Sequence, residues 1–142
     1  MIRLMSVKDY EKVYALWTGT KGMGMRSLDD SQEGIKKFLN RNPNTCFVYE
    51  EEGSIIGCIL CGHDGRRAYI YHAAVAENYR RKGIGSLLLK QVYDSLEKEG
   101  INKAALVVFS NNTIGNSFWK NQGWEKREDL NYYNKVINPE NK

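Results

Sequence analysis

Hydrophobic residues near the start of the chain recur with the period of a helix. Four of them are spaced i, i+3, i+4, i+7: Tyr10, Val13, Tyr14 and Trp17. This spacing places them on one face of a helix from Ser6 to about Gly19. Ser6 and Asp9 stand three residues apart, which is the spacing of a capping box at the start of that helix.

A second helix is predicted after the glycine-containing loop TGTKGMGMRS. Ser27 and Asp30 stand at its predicted start, and its inward positions are Ile35, Phe38 and Leu39. The segment NRNPN contains a proline and ends it.

The hydrophobic period then changes to that of strands. The segment TCFVYEEEGSIIGCILCGHDGRRAYIYHAAV predicts three strands joined by turns at EEGS and DGRR. An amphipathic helix follows from Ile84 to Gly100, and the apolar run KAALVVF predicts a central strand covered on both faces. Asn112 begins a further helix that closes at Gly123, and WEKREDLNYYNKVI predicts a final antiparallel pair of strands.

The predicted element order is therefore ααβββαβαββ. It indicates one mixed α/β domain over residues 1–142, with a mostly antiparallel mixed sheet and helices on both faces. The chain has 142 residues and 42% hydrophobic residues, which suits a single domain with its own core. No apolar run is long enough to cross a bilayer, and no signal peptide is visible at the N-terminus.

Charge and cysteine content narrow the function classes further. The net charge of +4 is small and the cations are mixed with acids, which disfavours a nucleic-acid-binding surface. Three cysteines are present, and an odd number fits a reducing compartment, so we expect a cytoplasmic protein. The C-x-x-C spacing of Cys58 and Cys61 puts the two thiols on opposite faces of a strand, so no metal site is expected.

The segment RRKGIG places cations and two glycines at the start of the third helix. Backbone N–H groups at a helix start lack partners within the helix, and the helix dipole adds positive charge there. Glycine lets the backbone turn tightly and approach a ligand. The amides from Arg81 to Ser86 are therefore predicted to bind an anion such as a pyrophosphate, although a tight strand-to-helix connection alone would also explain the glycines.

Two segments resemble motifs of the GNAT family of N-acetyltransferases. AVAENYRRKGIGSLLL resembles the acyl-CoA-binding motif Arg/Gln-x-x-Gly-x-Gly/Ala, matched by Arg80, Gly83 and Gly85. NNTIGNSFWKNQGWEK resembles the second motif, and the matching positions are Asn112, Trp119, Gly123 and Trp124. The hairpin in HDGRRAYIYHAAV is similar to that of a bacterial subgroup with Asp-Gly-Arg-Arg before the cofactor strand.

The resemblance implies an enzyme that moves an acetyl group from acetyl-CoA to a primary amine by direct attack. It implies cofactor-binding roles for one set of residues: Ala73, Val75, Arg80, Arg81, Lys82, Gly83, Ile84, Gly85, Ser86, Asn112 and Trp119. A free amide of Val75 or Ala74 would stabilise the oxyanion of the thioester. The expected partners are acetyl-CoA, the amine acceptor and, as an alternative to a monomer, a second copy of the chain.

The groups that move protons stay open at this stage. Trp119 stands where many relatives have a tyrosine acid, and Val107 stands where one branch has a carboxylate base. The remaining candidates are ordered water and the side chains of His72, Tyr71, Tyr132 and Tyr133. A histidine packed under a helix is the alternative for His72. These departures leave a second function open, an acyl-CoA-binding sensor without turnover.

The acceptor side is predicted to lie between the first two helices. The segment GTKGMGMRSLDDSQEG carries Asp29, Asp30 and Glu33. Their carboxylates would either attract a cationic amine or belong to a solvated helix start. The identity of the amine does not follow from this pattern.

Overall fold

The fold consists of five strands in one sheet and four helices, with helices on both faces of the sheet. The computed structural model describes all residues, Met1–Lys142. The elements in chain order are β1 Ile2–Leu4, α1 Tyr10–Thr18, α2 Gln32–Arg41, β2 Phe47–Glu51, β3 Ser54–His63, β4 Ala68–Val75, α3 Ile84–Lys98, β5 Ala104–Ala105 and α4 Thr113–Asn121. Short 3-10 turns span Val7–Asp9 and Glu77–Tyr79.

The sheet has five strands in the order β1-β2-β3-β4-β5. The first three pairings are antiparallel and β4 pairs with β5 in parallel. This confirms the predicted α/β class with a mixed, mostly antiparallel sheet. No helix has both the length and the apolar composition needed to cross a membrane.

Apolar side chains fill a separate core on each face of the sheet. One core lies against α3 and includes Leu88, Leu89 and Val92. The other lies against α1 and α2 and includes Val13, Trp17, Ile35 and Leu39. The predicted inward positions Val13, Trp17, Ile35 and Leu39 are buried, whereas Tyr14 is exposed at the edge of its helical face.

A bulge in β4 changes which face its side chains occupy. Leu60 pairs with His72 while Cys61 pairs with Ile70, so Tyr71 has no partner on β3. Ile70 belongs to the core beside α3, whereas His72 packs on Trp17 of α1, with 4.7 Å between ring centres. A bulge of this kind bends the strand and increases its twist.

The predicted order ααβββαβαββ is wrong at both ends. The short strand β1 precedes α1 and pairs with β2, and three residues are too few for a hydrophobic pattern to reveal. The predicted final pair of strands is absent, since residues 125–137 form no strand. Their polar side chains pair locally, as Arg127 does with Asp129 at 2.8 Å, and no neighbouring strand is present to align them.

Two local predictions also need correction. The run KAALVVF is not a covered central strand, because only Ala104 and Ala105 pair with β4 and Val107 and Phe109 are 56% and 59% exposed. The second helix begins at Gln32, capped by Ser31, whose Oγ accepts a hydrogen bond from Gly34 N at 3.0 Å.

Candidate functional site

The loop from β4 into α3 has an unusual backbone. Arg81 has φ of 65° and Gly83, the N-cap of α3, has φ of 77°. A positive φ is uncommon for a residue other than glycine, and such residues occur in tight turns, as at Glu52, and cluster at ligand-binding sites. The loop therefore keeps a costly conformation that a simple strand-to-helix connection does not require.

The amides of this loop have no partners within the protein. None of the backbone N–H groups from Arg81 to Ser86 donates a hydrogen bond to the protein. Successive free N–H groups beside left-handed residues form a concave site suited to an anion. Arg81 and Lys82 are exposed and make no ion pair, so their charges also favour an anion.

Side chains around the loop hold its shape. Arg80 Nε donates to Val75 O at 3.0 Å, which ties the loop to the end of β4. Lys82 Nζ lies 5.3 Å from the centre of the Tyr79 ring. Ser86 Oγ accepts a hydrogen bond from Gln122 Nε2 at 2.8 Å, so its hydroxyl links α3 to α4 while its amide stays free. Ile84 contributes only its backbone, because its side chain is buried.

The two glycines of the motif are required for different reasons. A Cβ at Gly83 would meet no atom within 4 Å, but the positive φ favours glycine. A Cβ at Gly85 would lie 2.9 Å from Phe118 Cε1. Gly85 is therefore needed for packing between α3 and α4, a requirement that the sequence did not indicate.

The last residues of β4 have a free edge toward β5. Ala76 N donates to Ile56 O and Cys58 pairs with Ala74, so the alternation of an antiparallel pair directs the Ala74 amide toward β3. The amides of Ala73 and Val75 then point to the other edge. Since β5 pairs with β4 only at residues 68 and 69, a gap opens beside these two amides.

The other predicted site residues lie in different surroundings. Asn112 caps α4, with Oδ1 accepting from Gly115 N at 2.9 Å, and its side chain lies against Gly22. Trp119 packs edge-on against Phe118 and Trp124. Tyr133 is 87% exposed, so the structure does not bring it to the gap. Tyr132 is 65% exposed.

His72 has a buried partner that sequence reasoning missed. Its Nε2 lies 2.7 Å from Asp30 Oδ1, and both side chains are nearly inaccessible to solvent. Asp30 Oδ2 also accepts from Arg26 N at 2.7 Å, so the pair fixes the loop before α2. These residues are 42 positions apart, and no motif links them.

The cysteines are structural. Cys58 and Cys61 belong to the cores on opposite faces of the sheet, as their spacing predicts. Burial raises the pKa of the Cys46 and Cys61 thiols to about 12, which keeps them protonated and unreactive at neutral pH. No three His, Cys, Asp or Glu side chains are grouped to hold a metal ion.

Comparison with known proteins identifies the family. The model of the acetyltransferase (GNAT) family matches residues 10–124. An acetyltransferase of Sodalis glossinidius (strain morsitans) is 29% identical over 129 residues, which cover 91% of this chain and 89% of that protein.

Solved structures show the same fold. Ard1 from Thermoplasma volcanium has a TM-score of 0.76 and 27% identity over 87% of this chain and 80% of that chain. The PaiA N-acetyltransferase from Thermoplasma acidophilum, solved with coenzyme A, has a TM-score of 0.79 and 22% identity, and 92% of each chain is covered. The chain belongs to the acetyltransferase (GNAT) family, and this membership confirms the predicted acetyl-CoA-dependent N-acetyltransferase activity.

Proposed function

We propose that the loop from Arg81 to Ser86 holds the pyrophosphate of acetyl-CoA while the acetyl group passes to a primary amine. The observation that carries this proposal is the row of amides from Arg81 to Ser86 without partners within the protein. Free amides at a helix start bind phosphate groups through hydrogen bonds and the helix dipole. Arg81 and Lys82 add positive charge at the rim.

The gap beside β4 is the proposed path of the pantetheine arm. Ala73 and Val75 present their amides to this gap, so the arm pairs with them as an added strand would. The amide of Val75 or that of Ala73 would then donate a hydrogen bond to the thioester oxygen. Val75 is the nearer of the two to the loop that holds the pyrophosphate. Of the two amides expected from the resemblance, Val75 and Ala74, only that of Val75 faces the gap, because the Ala74 amide is directed toward β3; we therefore assign the donor to Val75. A fixed N–H donor there stabilises the oxyanion of the tetrahedral intermediate.

The amine attacks the thioester carbon directly in this proposal. No nucleophilic side chain with an adjacent base lies at the gap, since the three thiols are buried and protonated. The bond from nitrogen to the acetyl carbon forms, the bond from carbon to sulfur breaks, and CoA leaves as a thiol. Water takes the proton of the ammonium, because Trp119 offers no acid–base group, His72 is buried against Asp30, and burial raises the pKa of Tyr71 still further above neutrality. Water also supplies the proton that the departing thiolate gains.

The pyrophosphate assignment is tested with two variants of one residue. Gly83→Asn and Gly83→Asp place side chains of similar size at the same left-handed position, which both residues tolerate. Only the aspartate places a negative charge beside the phosphates. We expect Gly83→Asp to bind CoA at least tenfold more weakly than Gly83→Asn in calorimetric titration, from a charge conflict of about 1.4 kcal/mol or more. Equal affinities in two folded variants would remove the assignment.

Turnover separates an enzyme from the sensor alternative. CoA thiol release from acetyl-CoA is measured against a panel of primary amines. Release that depends on an amine supports catalysis, whereas CoA binding without release on any amine would favour a sensor.

Three finer assignments accompany this function. The bacterial subgroup is supported by the hairpin itself, where Asp64 Oδ1 accepts from Arg66 N and Arg67 N at 2.8 Å. A homodimer is supported by exposed apolar side chains near the C-terminus, including Ile137 at 87% exposure, and sedimentation measures it. A cytoplasmic location is supported by the free cysteines, and cell fractionation tests it.

A further inference from the structure

A cleft of about 470 Å³ lies on the face of the sheet opposite α3. Phe38 of α2 forms one wall, and Tyr69 and Tyr71 of β4 form another. The Phe38 and Tyr71 rings meet edge to face with centres 5.4 Å apart, and Tyr69 and Tyr71 are 4.7 Å apart. The volume is that of a small-molecule site.

Three cations line the same cleft without partners. Arg41, Arg67 and Lys103 form no ion pair, and their side chains donate no hydrogen bond within the protein. The lining residues His63 and Asp64 already have hydrogen-bond partners. His63 bonds Glu99 at 3.0 Å, and Asp64 accepts from the amides of its own hairpin. Three cations therefore face the single carboxylate of Asp64 in the lining, and the net charge of the cleft is positive.

Tyr69 adds a neutral donor to this wall. Burial, together with the neighbouring Tyr132, raises the pKa of Tyr69 to about 12. Its hydroxyl therefore stays protonated at neutral pH and can donate to an anion. Unpartnered cations and a hydroxyl beside aromatic rings suit a carboxylate carried on an aromatic body.

The bulge connects this cleft with the acetyl-transfer gap. Tyr71 lines the cleft and is separated from Ala73 only by His72. The proposed cofactor loop lies on the α3 side, so a molecule in the cleft approaches the gap from the other face. Its amine would then reach the gap at Tyr71 while its anionic group stays among the cations.

We propose that the acceptor is an aromatic amine that also carries a carboxylate, and that Arg41, Arg67 and Lys103 bind the carboxylate. This assignment rests on the proposed function for its amine end. It excludes polycationic acceptors, which the positive cleft would repel. The acidic residues Asp29 and Asp30 of the loop before α2 do not line the cleft; Asp30 is paired with His72 and Asp29 accepts from Asn141.

Matched acceptors test the assignment by CoA thiol release. 4-(2-Aminoethyl)benzoate and 2-phenylethylamine differ only in the carboxylate, as do 4-(aminomethyl)benzoate and benzylamine, and in each acid the ring separates the amine from the carboxylate. We expect the carboxylated member of at least one pair to have a kcat/KM about tenfold higher, since hydrogen bonds to charged groups are of that size. Arg67→Gln should abolish the difference. Arg66→Gln, the adjacent arginine outside the cleft, should leave it unchanged.

A binding measurement separates this inference from the function itself. The probe 3-phenylpropionate has the anion and the ring but no amine, so its binding, followed by NMR titration, needs no turnover. Binding that Arg67→Gln weakens about tenfold and Arg66→Gln does not would support the site even if no amine is acetylated. Acetylation of 2-phenylethylamine without any binding of 3-phenylpropionate would overturn the site and leave the acetyltransferase function standing. Equal kcat/KM within both pairs, or equal losses in both arginine variants, would also overturn it.

Discussion

Replacing Val75 with proline removes one N–H group and little else. The Val75 amide faces the gap, so the change costs no hydrogen bond between β3 and β4. Proline is tolerated at strand positions whose N–H lies outside the ladder. It also restricts the preceding residue to extended backbone, which Ala74 already adopts within β4. The variant therefore isolates the proposed oxyanion donor.

The expected effect follows from the role of that donor. Loss of one oxyanion donor costs about 10²–10³-fold in kcat, or about 2.7–4 kcal/mol. The stability cost should stay near 1 kcal/mol, because Val75 is half-buried and proline retains most of its side-chain carbons. CoA affinity should fall by no more than about tenfold, since one neutral hydrogen bond contributes about 1 kcal/mol. The loss should therefore appear in kcat.

The assay compares Val75→Pro, Val75→Ala and Ala74→Pro by the rate of CoA thiol release and by thermal unfolding. Val75→Ala keeps the N–H and should retain kcat to within about tenfold. Ala74→Pro removes the amide directed at β3 and should destabilise the fold by about 1–3 kcal/mol. A folded Val75→Pro enzyme whose kcat matches that of Val75→Ala would refute the assignment of the oxyanion donor to this amide.

Two further predictions concern the side-chain pairs Arg3–Asp9 and His72–Asp30. Arg3 donates hydrogen bonds to Asp9 at 2.8 and 2.9 Å and lowers the pKa of that carboxyl. The pair should therefore stabilise the fold at neutral pH by about 1–2 kcal/mol, and this stabilisation should be lost as pH falls through the lowered pKa. In urea titrations at pH 2–7, Asp9→Asn should flatten the acid limb, which is the fall of unfolding free energy with decreasing pH. A limb of unchanged slope would exclude the pair as its source. If water takes the proton, kcat/KM should rise toward alkaline pH as the acceptor amine is deprotonated. His72→Gln should lower stability by about 1–3 kcal/mol through the contact with Asp30 yet keep that rise. Loss of the rise, or a loss of about a hundredfold or more in rate, would make His72 the base.

The sequence predicted the elements that carry a strong local pattern. The amphipathic helices α1 and α3 and the hairpin of β3 and β4 follow from periodicity and turn residues. Both predicted caps are present: Ser6 caps the 3-10 turn Val7–Asp9 that leads into α1, which itself begins only at Tyr10, and Asn112 caps α4. What failed depends on contacts between distant residues. β1 is defined only by its pairing with β2, and the apolar run after Lys103 becomes exposed because no strand covers its outer edge.

The same distinction applies to the site. The loop from Arg81 to Ser86 could be singled out as a candidate anion site because its glycines and cations are contiguous. The packing role of Gly85 could not, because it depends on Phe118, which arrives from α4. The pair of His72 with Asp30 and the cluster of Arg41, Arg67 and Lys103 join separate elements, so no spacing within one segment indicates them.

The bulge at Tyr71 links these parts into one arrangement. Without it, residues 68, 70, 72 and 74 would share a face, and His72 would point toward α3. The extra residue turns Tyr71 and His72 to the side of α1 and α2, while Ala73 and Val75 face α3. It therefore separates the proposed cofactor side from the proposed acceptor side at the point where β5 leaves β4. In this proposal one unpaired residue sets the direction of attack on the thioester, because the amine and the CoA approach that gap from opposite faces.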